Sequence, residues 1–266
     1  MNVVHYQSGV QSGYDYRDKV VLVTGGSRGI GAGIAMAFLV AGARVVVCGR
    51  TAPERLPSFG DREVEFVSGD VREEASLDAL FATIRERFGR LDVVVNNAGG
   101  APAADAATAS PRFHEGVIRL NLIAPLNVAQ RANRIMQEQD GGGVIVFIGS
   151  ISALRPSPGT AAYGAAKAGV LSLVQSLAVE WAPKVRVVGV SPGLVKTEQA
   201  HLHFGDDAAQ AAVAATIPAG RLASPEDIGN ACLYVASPQA SYVSGSNLLL
   251  HGGGERPAFL SAASQG

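Results

Sequence analysis

Short runs of β-branched residues alternate along the chain with longer stretches of helical period. Positions 20–23, 45–47, 64–67, 93–95, 144–148, 185–190 and 248–250 read as strands, most of them apolar at every position. Strands without a polar face predict a parallel sheet covered on both sides. Between them, 29–41, 74–88, 112–138, 161–182 and 225–236 carry the helical repeat. Strict alternation of the two predicts one α/β domain over residues 18–254. Its expected form is a doubly wound parallel sheet with helices on both faces and right-handed crossovers. Residues 1–17 read as a loosely ordered arm and 255–266 as a tail. The longest insertion, 194–220, follows a strand and carries His201, His203 and Phe204 before an alanine-rich helix. In such sheets that position lies over the ligand crevice, so the insertion is the expected substrate lid.

Composition narrows the class without naming a ligand. The 266 residues are 47% hydrophobic and 17% charged, with 32 glycines, as in turn-rich α/β proteins. A net charge of −1 and the lack of a basic stripe argue against a nucleic-acid or membrane partner. No apolar run reads as a membrane span and the first 18 residues do not read as a signal peptide, so a cytoplasmic protein is expected. Cys48 and Cys232 stand far apart without a ligand-spaced partner and read as buried thiols. His201 and His203 lack a carboxylate or cysteine at metal spacing, so no metal site is expected.

The first strand runs directly into Thr24-Gly25-Gly26-Ser27-Arg28-Gly29-Ile30-Gly31 and then a helix. Glycines at 25, 29 and 31 allow a tight turn and bring a pyrophosphate against the free amides of the helix start. A plain turn is the alternative, but its place at the start of a βαβ unit favours a Rossmann-like dinucleotide site. The second strand ends Gly49-Arg50-Thr51, with no acid to accept from a ribose 2′-OH. Arg50 and Arg28 instead suit a 2′-phosphate, which favours NADP(H), with NAD(H) the alternative. Arg50 as a solvated loop cation is the plain reading.

Tyr163 and Lys167 stand four residues apart and share a helix face. An ammonium beside a phenol is expected to lower the phenol's pKa, making it a proton donor and acceptor near neutral pH. Ser150 ends an apolar strand thirteen residues before Tyr163, where its hydroxyl emerges at the sheet's carboxyl edge; Ser152 is its rival. Asp70-Val71 and Asn96-Asn97-Ala98-Gly99 follow the third and fourth strands at the same edge, although the asparagines also suit turn caps.

Taken together, the glycine-rich turn, Asn96-Asn97-Ala98-Gly99, Asn121, Ser150, Tyr163-x-x-x-Lys167 and Ser191-Pro192-Gly193 resemble the short-chain dehydrogenase/reductase family over roughly residues 18–254. The subgroup they resemble most is the 3-oxoacyl-[acyl-carrier-protein] reductases and related ketoreductases. The resemblance implies that Tyr163 is the general acid in carbonyl reduction and the base in alcohol oxidation. It implies that Lys167 tunes Tyr163 and holds the nicotinamide ribose, that Ser150 donates to the substrate oxygen, and that Asn121 holds a relay water. It also implies cofactor contacts at Gly25, Ser27, Arg28, Gly29, Ile30, Gly31, Arg50, Asp70, Val71, Asn97, Ala98, Gly99, Pro192, Gly193, Val195 and Thr197. A homo-oligomer, tetramer or dimer, is expected on the same ground.

The sequence departs from the family pattern in two places. Ser191 stands where many relatives carry asparagine, and His251, before three glycines, where many carry an acid; His251 reads as structural or interfacial. The expected reaction moves a hydride between NADP(H) and a ketone or secondary alcohol. Its alternatives are an NAD-linked dehydrogenase of a hydrophobic alcohol, steroid or sugar, and a non-catalytic dinucleotide-binding protein. No arginine or lysine lies between Lys196 and Arg221, which weighs against a carrier-protein substrate.

Overall fold

Successive residues of a strand point to opposite faces of its sheet, so a strand apolar throughout must be covered twice. In the computed structural model, which describes residues 13–257 with Phe259 and Ala263, strand β1 (Val20–Thr24) meets that requirement. Val21 and Val23 enter one core with helix α1 (Gly29–Val40), while Val20 and Leu22 enter a second core on the other face. Strand β2 (Arg44–Gly49) follows, then a short antiparallel hairpin, β3 (Ser58–Phe59) and β4 (Arg62–Glu63). Strand β5 (Glu65–Ser68), helix α2 (Glu74–Phe88) and strand β6 (Val93–Asn96) complete the first half.

The second half continues with α3 (Pro111–Ile118), a π-helical turn (Arg119–Ile123) and α4 (Ala124–Glu138). Then come β7 (Gly143–Ile148), α5 (Ala161–Glu180) and β8 (Val185–Pro192). Two short helices of the 194–220 insertion, α6 (His201–Phe204) and α7 (Asp207–Ala215), precede α8 (Pro225–Ala236) and β9 (Asn247–Leu250). The seven long strands are all parallel, in the order β5-β2-β1-β6-β7-β8-β9. From β1 the chain winds outward first to one side and then, from β6, to the other. The loops after β1 and β6 therefore diverge and leave a crevice at the carboxyl edge.

Three expectations need correction. The helix foreseen over 112–138 is interrupted, because Pro125 has no N–H for the carbonyl of Asn121 and its ring crowds that turn; the backbone widens into the π turn instead. The expected loose arm lies largely outside the described residues, and its last residues are packed. Tyr16 is buried against Phe38 edge to face at 4.9 Å, with its hydroxyl donating to the Leu233 carbonyl at 2.6 Å. The expectation of no membrane-length apolar run also fails by length and composition, since α5 has both. It is the helix that carries Tyr163 and Lys167, and Ala166, Val170, Val174 and Leu177 are buried in the fold. Cys48 and Cys232 are free and lie in the cores on opposite sheet faces, which rules out a bridge between them.

Helices α1 and α8 pack through glycine. A Cβ on Gly33 would collide with the backbone and ring of Pro225, and one on Gly229 would lie 2.8 Å from the Gly33 carbonyl oxygen. Gly33→Ala forces the two helices apart and is expected to lower stability by about 1–3 kcal/mol. A urea midpoint that falls at unchanged slope measures this; an unchanged midpoint would show that α8 shifts freely.

Candidate active site

The end of β1 is fastened to the end of β6 by side chains from both. Thr24 Oγ1 accepts from the amides of Asn97 and Ala98 at 3.0 Å each. Asn97 Nδ2 returns bonds to the carbonyls of Thr24 at 2.9 Å and Gly25 at 3.2 Å. Gly25 and Gly29 adopt φ of +63° and +55°, where a side chain would strain the backbone. A Cβ on Gly31 would strike the Gly25 carbonyl and the Asn97 amide, so the helix start sits against the turn. Ile30 packs against the core beneath it.

This cradle fits the pyrophosphate of a dinucleotide by a direct observation: it already holds a carboxylate. The Gly29 N–H donates to Glu198 Oε1 at 3.0 Å. Helix α1 has no side-chain cap from Arg28 and no acid in its first turn, so its free amides are open to an anion from elsewhere. Ser27 Oγ lies 3.9 Å from where a Gly49 Cβ would stand, which puts it at the end of β2 beside exposed Arg50. Arg28 is also exposed, and among the described residues neither arginine has an ion-pair partner. Both suit the 2′-phosphate expected of NADP(H). Asp70 pairs with Arg72 at 2.6 Å, and that guanidinium, with lesser help from Arg50, holds its carboxyl below the ordinary range. Val71 beside it is buried.

The chemistry sits across the same edge. Strand β7 ends and its chain emerges through Gly149, which is pinned to Val190 and leaves no room for a Cβ beside Ser191. Ser150 follows in extended backbone, and its hydroxyl accepts the Ser152 amide at 3.1 Å. Tyr163, in the first turn of α5, stands beside Ser150, close enough for the serine hydroxyl to act on the phenol's pKa. Ser152 contributes its amide to Ser150, and its carbonyl packs where a Gly164 side chain would stand. The arrangement joins Ser150, not Ser152, to the tyrosine.

Lys167 is buried one turn along, with Nζ donating to the Ile148 carbonyl at 2.7 Å and lying 5.6 Å from the Tyr163 ring centroid. Burial pulls its ammonium down to about 8 from the ordinary 10.5. Burial also pushes the Tyr163 phenol up, and the bond to Ser150 draws it only partly back. The expected lowering of Tyr163 by the ammonium is therefore corrected. The lysine's short bond is committed to a carbonyl and it is held out of water, while Tyr163 is partly buried beside it.

Asn121 lies in the π turn, fully buried. Its Nδ2 donates to the carbonyls of Gly100 and Val117 at 2.9 Å each, and its Oδ1 accepts the Gly100 amide at 2.8 Å. A Cβ on Gly99 would stand 2.7 Å from Asn121 Oδ1 and 3.5 Å from Lys167 Nζ, so Gly99 is the gap between the two. The neighbouring Asn96 is buried with no protein partner on either side-chain polar atom, leaving its amide for a bound water or ligand group.

The β8 end supplies the other wall. Gly193 donates to the Leu250 carbonyl at 2.7 Å and passes so close to His251 Cα that a Cβ would stand 2.9 Å away. Ser191, fully buried, donates to Asn247 Oδ1 at 2.8 Å, which ties Pro192 and the strand end to β9. Val195 pairs with Ala223, and Thr197 Cγ2 comes to 3.8 Å of a Gly29 Cβ position. His201 and His203 are exposed on the lid, and among the described residues no group of three His, Cys, Asp or Glu is placed to hold a metal. His251 lines a cavity of about 190 Å³ with Leu194, Ile217 and the Arg221–Asp227 pair, a space that Ser150 and Tyr163 do not touch.

Three useful features escaped sequence reasoning. Pro125 signals the π turn, and Thr24 at a strand end signals the clasp. The contact of Glu198 with Gly29 crosses 169 residues and has no local signal.

Comparison with known proteins places these features in context. The family described as enoyl-(acyl carrier protein) reductase matches residues 25–255. The chain is 35% identical over 244 residues to the 3alpha-hydroxysteroid dehydrogenase of Mediterraneibacter gnavus, covering 89% of this chain and 96% of that protein. It is also 35% identical to the L-rhamnose 1-dehydrogenase (NAD(P)(+)) of Azotobacter vinelandii, over 89% and 96% of the two chains. The ligand-free structure of Thermoplasma acidophilum aldohexose dehydrogenase superposes with a TM-score of 0.82 at 28% identity, covering 89% of this chain and 94% of the other.

Lys167 also gives the site a pH signature. Between pH 8 and 10.5 the unfolded chain keeps a proton that the folded chain has lost, so this residue's contribution to stability rises with pH. The buried thiols act in the opposite sense, since burial raises Cys48 to about 11 and raises Cys232 further. Only a difference isolates the lysine. The stability of wild type minus Lys167→Met is expected to climb across that window, by at most about 1.4 kcal/mol per pH unit. Urea titrations at several pH values measure it; a flat difference would mean that Lys167 keeps its ordinary pKa.

Proposed function

Because the chain belongs to the short-chain dehydrogenase/reductase family, and so is an NAD(P)-dependent oxidoreductase acting on CH–OH groups, we propose that it interconverts a ketone and a secondary alcohol with NADP(H). The observation that carries this reading is the half-buried Ser150–Tyr163 pair, in which the serine draws down the phenol's pKa, with buried Lys167 behind it, across the crevice from the glycine cradle.

Gly25, Ser27, Gly29, Ile30 and Gly31 would seat the pyrophosphate, and Arg28 and Arg50 the 2′-phosphate. Asp70, Val71, Asn97, Ala98 and Gly99 would line the adenosine side, with Pro192, Gly193, Val195 and Thr197 on the nicotinamide side. When bound, the dinucleotide supplies or accepts the hydride. Ser150 donates to the substrate oxygen and stabilises the charge that develops there. Tyr163 delivers the proton to that oxygen in reduction and withdraws it in oxidation. Lys167, charged below about pH 8, compensates a phenolate formed in a buried site. Asn121 fixes the loop at Gly99–Gly100 that separates it from Lys167, and the relay water that the family resemblance implies would sit beside it.

The substrate reading moves from the acyl-carrier subgroup toward steroid, sugar or polyol alcohols. Two observations support the shift: the names of the relatives, and a lid with no cation between Lys196 and Arg221. A homo-oligomer would bury Val179, which is 80% exposed on α5.

The test is turnover of a ketosteroid, a sugar lactone–aldose or ketose–polyol pair, and acetoacetyl-CoA with NADPH and NADH. Tyr163→Phe is expected to lower kcat by about 10²–10⁴-fold on whichever substrate turns over. Turnover on acetoacetyl-CoA alone would restore the oxoacyl reading, and an undiminished Tyr163→Phe would remove the proposed acid. Arg50→Ala is expected to weaken NADPH about tenfold and leave NADH unchanged. Equal weakening of both would refute the 2′-phosphate role.

A further inference from the structure

Helix α1 begins without the groups that ordinarily satisfy a helix start. Its flanking residue Arg28 makes no side-chain cap, and its first turn holds no acid. The Gly29 N–H is nevertheless satisfied, by Glu198 Oε1 at 3.0 Å from the first residues of the lid. Among the described residues Glu198 has no salt bridge. What holds its carboxylate is the amide and the positive end of α1, the same pair of attractions that a pyrophosphate uses. Thr197 is carried to the same place, its methyl over Gly29.

We propose that Glu198 is a built-in anionic competitor of the cofactor: its carboxylate occupies the pyrophosphate position at Gly29, and the dinucleotide binds only by displacing it. The inference rests on the reading of this turn as a dinucleotide site. It adds that the affinity is set below what the cradle alone would give, and that cofactor entry moves the start of the lid. One hydrogen bond from a full charge is exchanged for another, so the effect is modest in size and specific in chemistry. It acts on ligands that bring a pyrophosphate, with or without a 2′-phosphate.

Dissociation constants of NADPH, NADH and adenosine 2′-phosphate, measured by calorimetry on wild type, Glu198→Gln, Glu198→Ala and Glu198→Asp, test this. Glu198→Gln and Glu198→Ala are expected to bind both dinucleotides about three- to tenfold more tightly. Adenosine 2′-phosphate, which has no pyrophosphate, is expected to bind all four forms alike. Glu198→Asp keeps the charge but withdraws the carboxylate by one methylene, and is expected to gain most of the same tightening. Unchanged or weakened dinucleotide binding in Glu198→Gln and Glu198→Ala would overturn the proposal while leaving the dinucleotide site intact. If Glu198→Asp behaves as wild type while Glu198→Gln tightens, long-range repulsion and not the Gly29 contact is responsible, and the proposal falls. If neither dinucleotide binds any form, the cofactor reading falls and this inference with it.

Discussion

The site depends first on the clasp between Thr24 and Asn97. Two adjacent parallel strands, β1 and β6, send their chains in opposite directions, which by itself would leave two independent loops at the carboxyl edge. One hydroxyl and one side-chain amide join them into a single surface. On one side of that surface lie the glycine turn and the start of α1. On the other lie Gly99, Asn121 and Lys167. Each of those contacts is close enough that a methyl group on Gly31 or Gly99 has nowhere to go, so the clasp fixes the cradle relative to Asn121 and Lys167.

The second constraint is the removal of polar groups from water on the chemical side. Lys167 and Asn121 are buried and Tyr163 is partly so; Lys167 donates to the Ile148 carbonyl, Asn121 is bound to the Gly100 backbone, and Tyr163 stands beside Ser150. Burial acts on both titrating groups against their charged forms, lowering the lysine and raising the tyrosine. Neither is charged at its neighbour's expense in this arrangement. The raised pKa thus keeps Tyr163 a protonated phenol, the form suited to donate.

Much of this was legible in the chain. Strands apolar on both faces required a covered parallel sheet, and the structure has one with seven strands. The spacing of Tyr163 and Lys167 placed them on one helix face because the helical period is local. What sequence could not supply depended on long-range geometry. The direction of the Tyr163 pKa follows from burial, and no residue spacing reports burial. The π turn follows from Pro125 meeting the carbonyl of a residue four positions back, a conflict visible only once a continuous helix is assumed there. Glu198 reaches Gly29 from the chain after β8, although β6 and β7 stand between β8 and β1 in the sheet, a contact that no local pattern reports. The packed Tyr16 was misread because a short polar segment resembles a loose terminus until its partners Phe38 and Leu233 are in place.

The neck of the lid has a wider meaning. Val195 bridges Ala223, with Lys196 donating to Ala223 and Ala223 donating to Leu194, so both ends of the insertion are stitched together before it leaves the domain. Immediately beyond, Ser224 and Asp227 cap α8, which is interlocked with α1 through Gly33 and Gly229. The segment from 197 to 222 leaves and returns at this neck, and it is tied to the frame again at Gly29 through Glu198, at Gly252 through Ala219 and at Arg256 through Thr216. Changes in the length or sequence of that segment leave the loop-closure entropy of the frame nearly untouched. The neck thus closes independently of the segment's own length, and residues can be added to or removed from the segment without disturbing the pairing of the sheet beneath it.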